Sequence, residues 1–361
     1  MAKKIAFIGP LPPPVGGVAL ANIRAQEIVQ RLAPEHEIIT LDNSKKSINA
    51  DLYKRKGLSE MGHFIKNIGK FLGFIFKNRI AVANVFVVPN ISFVREAVYI
   101  LLLKLKPGQL VVHLHAKTSG DLFLSGFKLK LFTKIVGLGD VVFVLSEKHH
   151  RQFYAKYIKP EKLVVLENFV TYSDFDNQIS QKEHKFLYVG RLSEKKGFKT
   201  LVEAVALAKN ELSGLTIEVL GAFENAAFEQ EMNQMIQDHQ LSQFRFHGPQ
   251  MGQEKFEQFK RCSVFVFPSY FENSPIVLKE AIAAKMAILS SDIQENQNLL
   301  EDFDNKVLFK AQDAEDLSKK LINCFKDKTS INAMMLASEK IKNYDVTEAE
   351  RIIANSLDLD S

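Results

Sequence analysis

The chain has 361 residues, 46% of them apolar and 25% charged, values that exclude a disordered or fibrous chain; the length exceeds one open α/β core and suits two domains. Its two cysteines, Cys262 and Cys324, form no CxxC pair and have no histidine at ligand spacing, which argues against a disulfide framework or a structural zinc and for a reducing cytoplasm. The net charge of +5 hides an asymmetry, since residues 1–180 hold 25 basic and 14 acidic residues and the remainder 22 and 28.

A basic half beside an acidic half points to an anionic partner for the first half. No DNA- or RNA-binding motif is present, so the expected partner is an anionic membrane surface and not nucleic acid. No run approaches the roughly 18 apolar residues of a membrane span; Leu101-Leu102-Leu103 is closed by Lys104 and Lys106. The apolar run at 5–9 is too short for a signal-peptide core and predicts a first buried strand.

In chain order, short β-branched runs alternate with helical patterns, the form of a parallel sheet with crossover helices. Strands are predicted at 5–8, 37–41, 85–88, 110–114, 141–145 and 163–166, with helices at 19–32 and 147–157. Residues 171–184, polar and aperiodic, read as a linker. The pattern restarts with strands at 186–189, 217–220, 244–246, 264–267, 288–290 and 307–309, and turns helical after 313. Two such series predict two doubly wound Rossmann-like domains, 1–170 and 185–344, in preference to one eight-fold barrel.

The candidate functional residues follow the same order. Pro12-Pro13-Pro14-Val15-Gly16-Gly17 joins the first strand to the first helix, where Gly16 and Gly17 permit close backbone approach to a ligand or simply make a tight turn. A GxGxxG fingerprint is missing, which argues against an NAD enzyme. Residues 53–80 interleave phenylalanines with Lys66, Lys70, Lys77 and Arg79 at helical spacing. They fit a core-packed helix with a solvated basic face, or a helix lying on anionic lipid. His113 and His115 end a strand on one face, His115 nearer the carboxyl edge where ligands bind.

In the second half, Tyr188-Val189-Gly190-Arg191-Leu192-Ser193-Glu194-Lys195-Lys196-Gly197 leaves a strand with two cations able to neutralise a diphosphate. Arg191 and Lys196 are nominated, with Lys195 as competitor. The loop His247-Gly248-Pro249-Gln250-Met251 is placed near a nucleotide base. Phe271-Glu272-Asn273-Ser274-Pro275-Ile276 then opens a helix whose free N–H groups favour an anion. On that helix, Glu280 can accept two hydrogen bonds from a vicinal diol such as ribose. The acidic triplets Asp174-Phe175-Asp176 and Asp302-Phe303-Asp304 read as solvated, so no metal is expected.

Glu272 and Glu280, with seven residues between them, and the Gly190-Arg191-Leu192 to Lys196-Gly197 run resemble family 4 of the glycosyltransferases. The resemblance is specific over 185–330 and looser over 1–170. It implies the GT-B fold, with an acceptor domain and a donor domain facing across a cleft and a C-terminal crossover helix, for which 345–361 is the candidate, packing back on the first domain. It implies that Glu272 faces the donor sugar and Glu280 the ribose, that Gly16 and Gly17 touch donor phosphate or acceptor, and that His115 contacts the sugar or its phosphate. Gly190, Gln250, Met251, Asn273, Ser274, Pro275 and Ile276 complete the donor set. Asn273 stands where many members have glycine, and Ser290-Ser291-Asp292-Ile293-Gln294 departs from a glycine pair.

The activity so implied is retaining, metal-independent transfer from a nucleoside-diphosphate sugar, UDP favoured and GDP possible, with no cofactor. The implied acceptor is a saccharide, lipid-linked at the inner face of the cell membrane, in bacterial surface polysaccharide synthesis. A UDP-sugar epimerase and a non-catalytic sugar-nucleotide- or glycan-binding partner of another transferase are the alternatives.

Overall fold

A computed structural model describes residues 2–12, 17–44, 58–90, 92–115, 125–175, 182–301, 306–338 and 344–358. The chain divides into two compact units, Met1–Asn168 with Thr347–Ser361, and Phe169–Val346.

The first unit runs β1 (Lys4–Gly9), α1 (Gly17–Leu32), β2 (Glu37–Asp42), α2 (Leu58–Lys77), β3 (Ile80–Val87), α3 (Phe93–Lys104), β4 (Gln109–Leu114), α4 (Gly126–Val136) and β5 (Val141–Val144). A π-helical turn, Glu147–Arg151, then leads into α5 (Gln152–Tyr154) and β6 (Leu163–Val165). The sheet order is β2-β1-β3-β4-β5-β6, with every pairing parallel. Its core gathers the strand faces with Phe71 and Ile75 of α2, Tyr99 of α3, Phe132 of α4 and Tyr154.

The second unit runs β7 (Glu183–Val189), α6 (Phe198–Leu207), β8 (Ile217–Leu220), α7 (Ala226–Asp238), β9 (Phe244–Gly248), α8 (Gly252–Arg261), β10 (Cys262–Phe267), α9 (Ile276–Ala283), β11 (Ala287–Ser291), α10 (Gln294–Leu299), β12 (Lys306–Phe309), α11 (Ala314–Lys326) and α12 (Lys328–Ser338). Its parallel order is β12-β11-β10-β7-β8-β9. All six residues of β10 are buried, as in a strand covered by helices on both faces. A last helix, α13 (Val346–Ser356), buries Ala349 and Ile353. Within the first unit, Glu350 meets Arg31 at 2.7 Å and the Ser356 carbonyl accepts from Gln109 at 2.9 Å.

The two open sheets bear out the doubly wound class and exclude the single barrel. Several boundaries differ from expectation, each for a physical reason. β3 begins at Ile80, five residues before the predicted strand, because a polar residue interrupts its apolar run. That residue, Asn84, is buried and satisfied: its Nδ2 donates to the Ala6 carbonyl at 3.4 Å and its Oδ1 faces His113 Nε2 at 3.0 Å. The helix predicted at 147–157 opens in a wide turn and contains only three α-helical residues. The linker stretch holds a 3-10 turn, Tyr172–Phe175, and the start of β7, whose first residue Glu183 is held by Lys185 and Arg261.

Segment 53–80 becomes α2 over its described part, with Phe71 stacked 4.1 Å from Tyr99 while Ile65, Lys66, Lys70, Phe76 and Lys77 stay exposed. One side of the helix is thus packed in the core, and its exposed side carries lysines together with Ile65 and Phe76. Residues 302–304 and Asp176 lie outside the described residues, as does Gly16.

Beyond β8, Gly221 has φ +155°, and a Cβ there would lie 1.8 Å from the Gly190 carbonyl oxygen. Gly221→Ala is therefore expected to lower stability by about 3 kcal/mol or more, read from urea unfolding. A loss under about 1 kcal/mol would show that the two strand ends can part without cost.

Candidate functional site

In an open parallel sheet, ligands bind outside the carboxyl ends of the strands where the strand order reverses. In the second unit that point lies between β7 and β10, neighbours whose successors run to opposite edges. The two nominated segments leave the sheet there: Gly190 to Gly197 follows β7, and Pro268 to Pro275 follows β10.

Glycine brings them together. Gly197 has φ +71°, and a Cβ on it would sit 1.8 Å from the Pro268 carbonyl oxygen, so no other residue fits. The Tyr270 N–H donates to the Lys195 carbonyl at 2.9 Å, and the Thr200 and Tyr270 hydroxyls meet at 2.5 Å. From below, the Tyr188 hydroxyl donates to the carbonyls of Arg191 at 3.0 Å and Lys196 at 3.3 Å. Burial first, and the Glu272 carboxylate second, push that phenol far above its ordinary range, so Tyr188 serves as a fixed donor.

The result is an ion pair, with Lys196 Nζ 2.6 Å from Glu272 Oε1. The Glu272 side chain is 10% exposed and that of Lys196 36%. Between the rival lysines, the ammonium at the carboxylate is that of Lys196; Lys195 contributes its backbone. Arg191 is exposed and pairs with no carboxylate among the described residues.

Pro275 caps α9 in extended conformation, so the first N–H groups of the helix lack intrahelical acceptors. Lys279 and Glu280 are both fully buried on α9. The Lys279 ammonium lies 3.9 Å from the Tyr344 ring centroid, and Glu280 Oε2 lies 2.5 Å from Lys255 Nζ of α8. The side-chain oxygens of Asn273 and Gln250 are screened from solvent and accept no hydrogen bond among the described residues, a state native interiors seldom leave unfilled. Met251 is half exposed and caps α8.

The placement of His247 corrects one reading. It belongs to β9 and not to the loop beyond it, with Nε2 2.6 Å from buried Glu218 of β8. The loop proper is Pro249 to Met251.

Some contributors were not foreseen. Ser291 Oγ donates to the Ser269 carbonyl at 2.6 Å, and Asn296 Nδ2 reaches Ser290 Oγ at 3.0 Å and Ser291 Oγ at 3.1 Å. This network ties the ends of β10 and β11, and it occupies the stretch that departs from the glycine pair. Hydroxyls at the ends of two buried strands were its only sequence signal. Lys255 was missed because it looks like one more surface lysine.

In the first unit, Gly17 opens α1 at the surface. His113 and His115 are buried and stack on Phe86, at 4.3 and 5.6 Å. The His113 ring hydrogen-bonds Asn84, and the backbone N–H of His115 donates to the Val87 carbonyl at 2.9 Å. Burial, with a smaller push from nearby His150, draws His115 down to about 4, and burial draws His113 well below its usual range. Both rings are neutral at neutral pH. Among the described residues no three His, Cys, Asp or Glu side chains gather as metal ligands do, and no described helix is long and apolar enough to cross a membrane.

The chain is similar in structure to HepE of Anabaena, solved with UDP-glucose (TM-score 0.73, 16% identity, 98% of each chain). It is similar also to sucrose-phosphate synthase of Thermosynechococcus elongatus (0.74, 15%, 98% of each) and to the lipopolysaccharide outer core galactosyltransferase WaaB (0.62, 16%, 98% of each). At these identities the likeness is one of fold, the two-unit α/β architecture of GT-B glycosyltransferases. Residues 171–343, just under half of the chain, match the family model described as Glycosyl transferases group 1. No curated protein matches the chain in sequence.

The buried histidines make the first unit acid-sensitive. With His115 at about 4 when folded and near the ordinary 6.5 when unfolded, stability is complete above about pH 6.5. It falls as pH drops towards 4, because the unfolded chain takes up a proton the folded one refuses. His115→Gln is expected to remove up to about 3 kcal/mol of that pH-dependent loss. Urea titrations of both proteins between about pH 7 and about pH 4.5 measure it; equal slopes would place a charged His115 in the folded state.

Proposed function

We propose that the protein is a retaining glycosyltransferase that moves a hexose from a nucleoside-diphosphate donor, UDP favoured, to a hydroxyl of a saccharide acceptor. The observation that carries this reading is the Lys196–Glu272 ion pair at the switch point of the second sheet, on the two loops that also carry Arg191 and lead into α9. Such a corner binds a diphosphate at its cations and free N–H groups and a sugar at its carboxylate. Asn273 Oδ1 and Gln250 Oε1, buried acceptors in want of donors, suit a ligand rich in O–H and N–H groups. The family match over the same unit points the same way.

In the reaction, the bond from the anomeric carbon to the diphosphate oxygen breaks as the acceptor oxygen bonds to that carbon on the same face. The acceptor proton passes to the departing phosphate oxygen. Charge builds on the diphosphate, and in this reading Arg191, Lys196 and the α9 N–H groups stabilise it electrostatically. Lys196 exchanges part of its contact with Glu272 for the phosphate, freeing that carboxylate for sugar hydroxyls. Protein cations take the role a divalent ion has elsewhere, and no metal is required.

The acceptor in this reading is lipid-linked and reached at the cytoplasmic face of a membrane, in surface polysaccharide synthesis. The first unit supports that role. Its helices α2, α3 and α4 pack in sequence and leave Ile65, Phe76, Leu101, Leu105, Phe127 and Leu131 exposed. Lysines 66, 70, 77, 128, 130 and 134 stand among them, and from residue 97 to 139 the sole acid is Asp121. Each cation near an anionic leaflet contributes about 1 kcal/mol.

Arg191→Ala and Lys196→Ala should each lower turnover of the sugar nucleotide by at least about tenfold while the protein stays folded, as read by circular dichroism, since both lose a contact strongest in the transition state. Near-wild-type turnover in both would move the phosphate site elsewhere. Chelation with EDTA should leave most activity; complete loss restored by magnesium or manganese would contradict the metal-free reaction. Co-sedimentation with liposomes should require anionic lipid, weaken with salt, and drop in a protein carrying Lys66→Glu, Lys70→Glu and Lys77→Glu. Indifference to anionic vesicles at low salt would remove the membrane from the proposal.

A further inference from the structure

The second glutamate of the pair has a partner of its own, and that partner sits where elementary electrostatics disfavours it. Lys255 lies in the first turns of α8, near the positive end of the helix dipole, where acids are preferred and cations are not. It is also withdrawn from water, its side chain 12% exposed beside a Glu280 side chain at 1%. A lysine that has given up hydration in that position is held there by the carboxylate 2.5 Å away. The dependence is mutual, because an ionised carboxylate as deeply buried as Glu280 costs several kcal/mol unless a cation or hydrogen bonds compensate it.

The pair also joins two pieces of chain with different tasks in the proposed site. Helix α8 starts directly after the Pro249 to Met251 loop, assigned to the nucleotide base. Helix α9 begins at the phosphate corner and carries Glu280, assigned to the ribose. The Lys255–Glu280 contact is thus a cross-brace between the base side and the ribose side.

We infer that Lys255 is a positioning residue of the nucleotide site, which orients Glu280 for the ribose diol and cancels its charge beside the diphosphate; this rests on the sugar-nucleotide reading above. The ammonium, 2.5 Å from Oε2, holds that oxygen in place and with it the edge of the carboxylate assigned to a diol. The neutralised pair adds no repulsion against the phosphates.

The test separates positioning from bulk structure by comparing ribose with 2′-deoxyribose. Affinities of UDP, GDP and their 2′-deoxy counterparts are measured by calorimetry for wild type, Lys255→Met and Lys255→Arg, with melting curves to confirm folding. Wild type is expected to prefer the ribonucleotide. Lys255→Met should cut that preference about tenfold, the scale of a lost hydrogen bond to a charged group, while Lys255→Arg keeps it within about twofold. Should Lys255→Met not fold, Lys255→Gln carries the same comparison.

If Lys255→Met retains the full preference, or loses ribo- and deoxyribonucleotide affinity equally, Lys255 does not position Glu280. If wild type binds neither UDP nor GDP, the sugar-nucleotide reading falls first and this inference with it.

Discussion

A missing Cβ governs the candidate site. At Gly197 the loop leaving β7 lies so close to the Pro268 carbonyl that a methyl group would overlap it. That approach lets a lysine on one loop reach a carboxylate on the other. Every other feature of the corner is fitted around it: the Tyr188 hydroxyl holding two loop carbonyls, the hydroxyl pair of Thr200 and Tyr270, and the extended Pro275 that starts α9. The ion pair of Lys196 and the nearly buried Glu272 is thereby built by backbone geometry and does not have to assemble itself from free side chains.

The two lysine–glutamate pairs differ in a way that matters for chemistry. Lys196 keeps about a third of its side chain in solvent, while Lys255 is nearly enclosed. An ammonium with access to water gives up one anion for another at low cost, whereas an enclosed one pays the full desolvation penalty on parting from its partner. In the proposed reaction the first suits a group that changes partners as charge moves onto a leaving phosphate, and the second suits a fixed brace.

Much of this was legible in the sequence, because a parallel sheet announces itself through alternating buried strands and crossover helices, and the glutamate spacing falls on a strand–turn–helix. What escaped notice shares one cause. Asn84 broke the apolar run of β3, yet its amide is satisfied by Ala6 and His113, a fact that exists only once β1, β3 and β4 lie side by side. His247 looked like a loop residue because polar strand ends resemble loops, and its partner Glu218 is almost thirty residues away in sequence. Lys255 and the Ser269–Ser291–Asn296 network likewise depend on partners that only the tertiary fold supplies. Local pattern reveals elements; it does not reveal which polar groups will be paired when those elements meet.

The return of α13 to the first unit has a consequence for how the protein is made. Ala349, Ile353 and Leu357 are buried, in a unit whose other residues end at Asn168. In topological terms the second unit is an insertion within the first. A chain growing from its N-terminus therefore completes Phe169–Val346 as a continuous stretch while the earlier unit still lacks its closing helix. Domains fold as units during synthesis, so the later-encoded unit can reach its final packing before the earlier one does. Until residues beyond 346 emerge, the surface awaiting Ile353 and Leu357 stays uncovered.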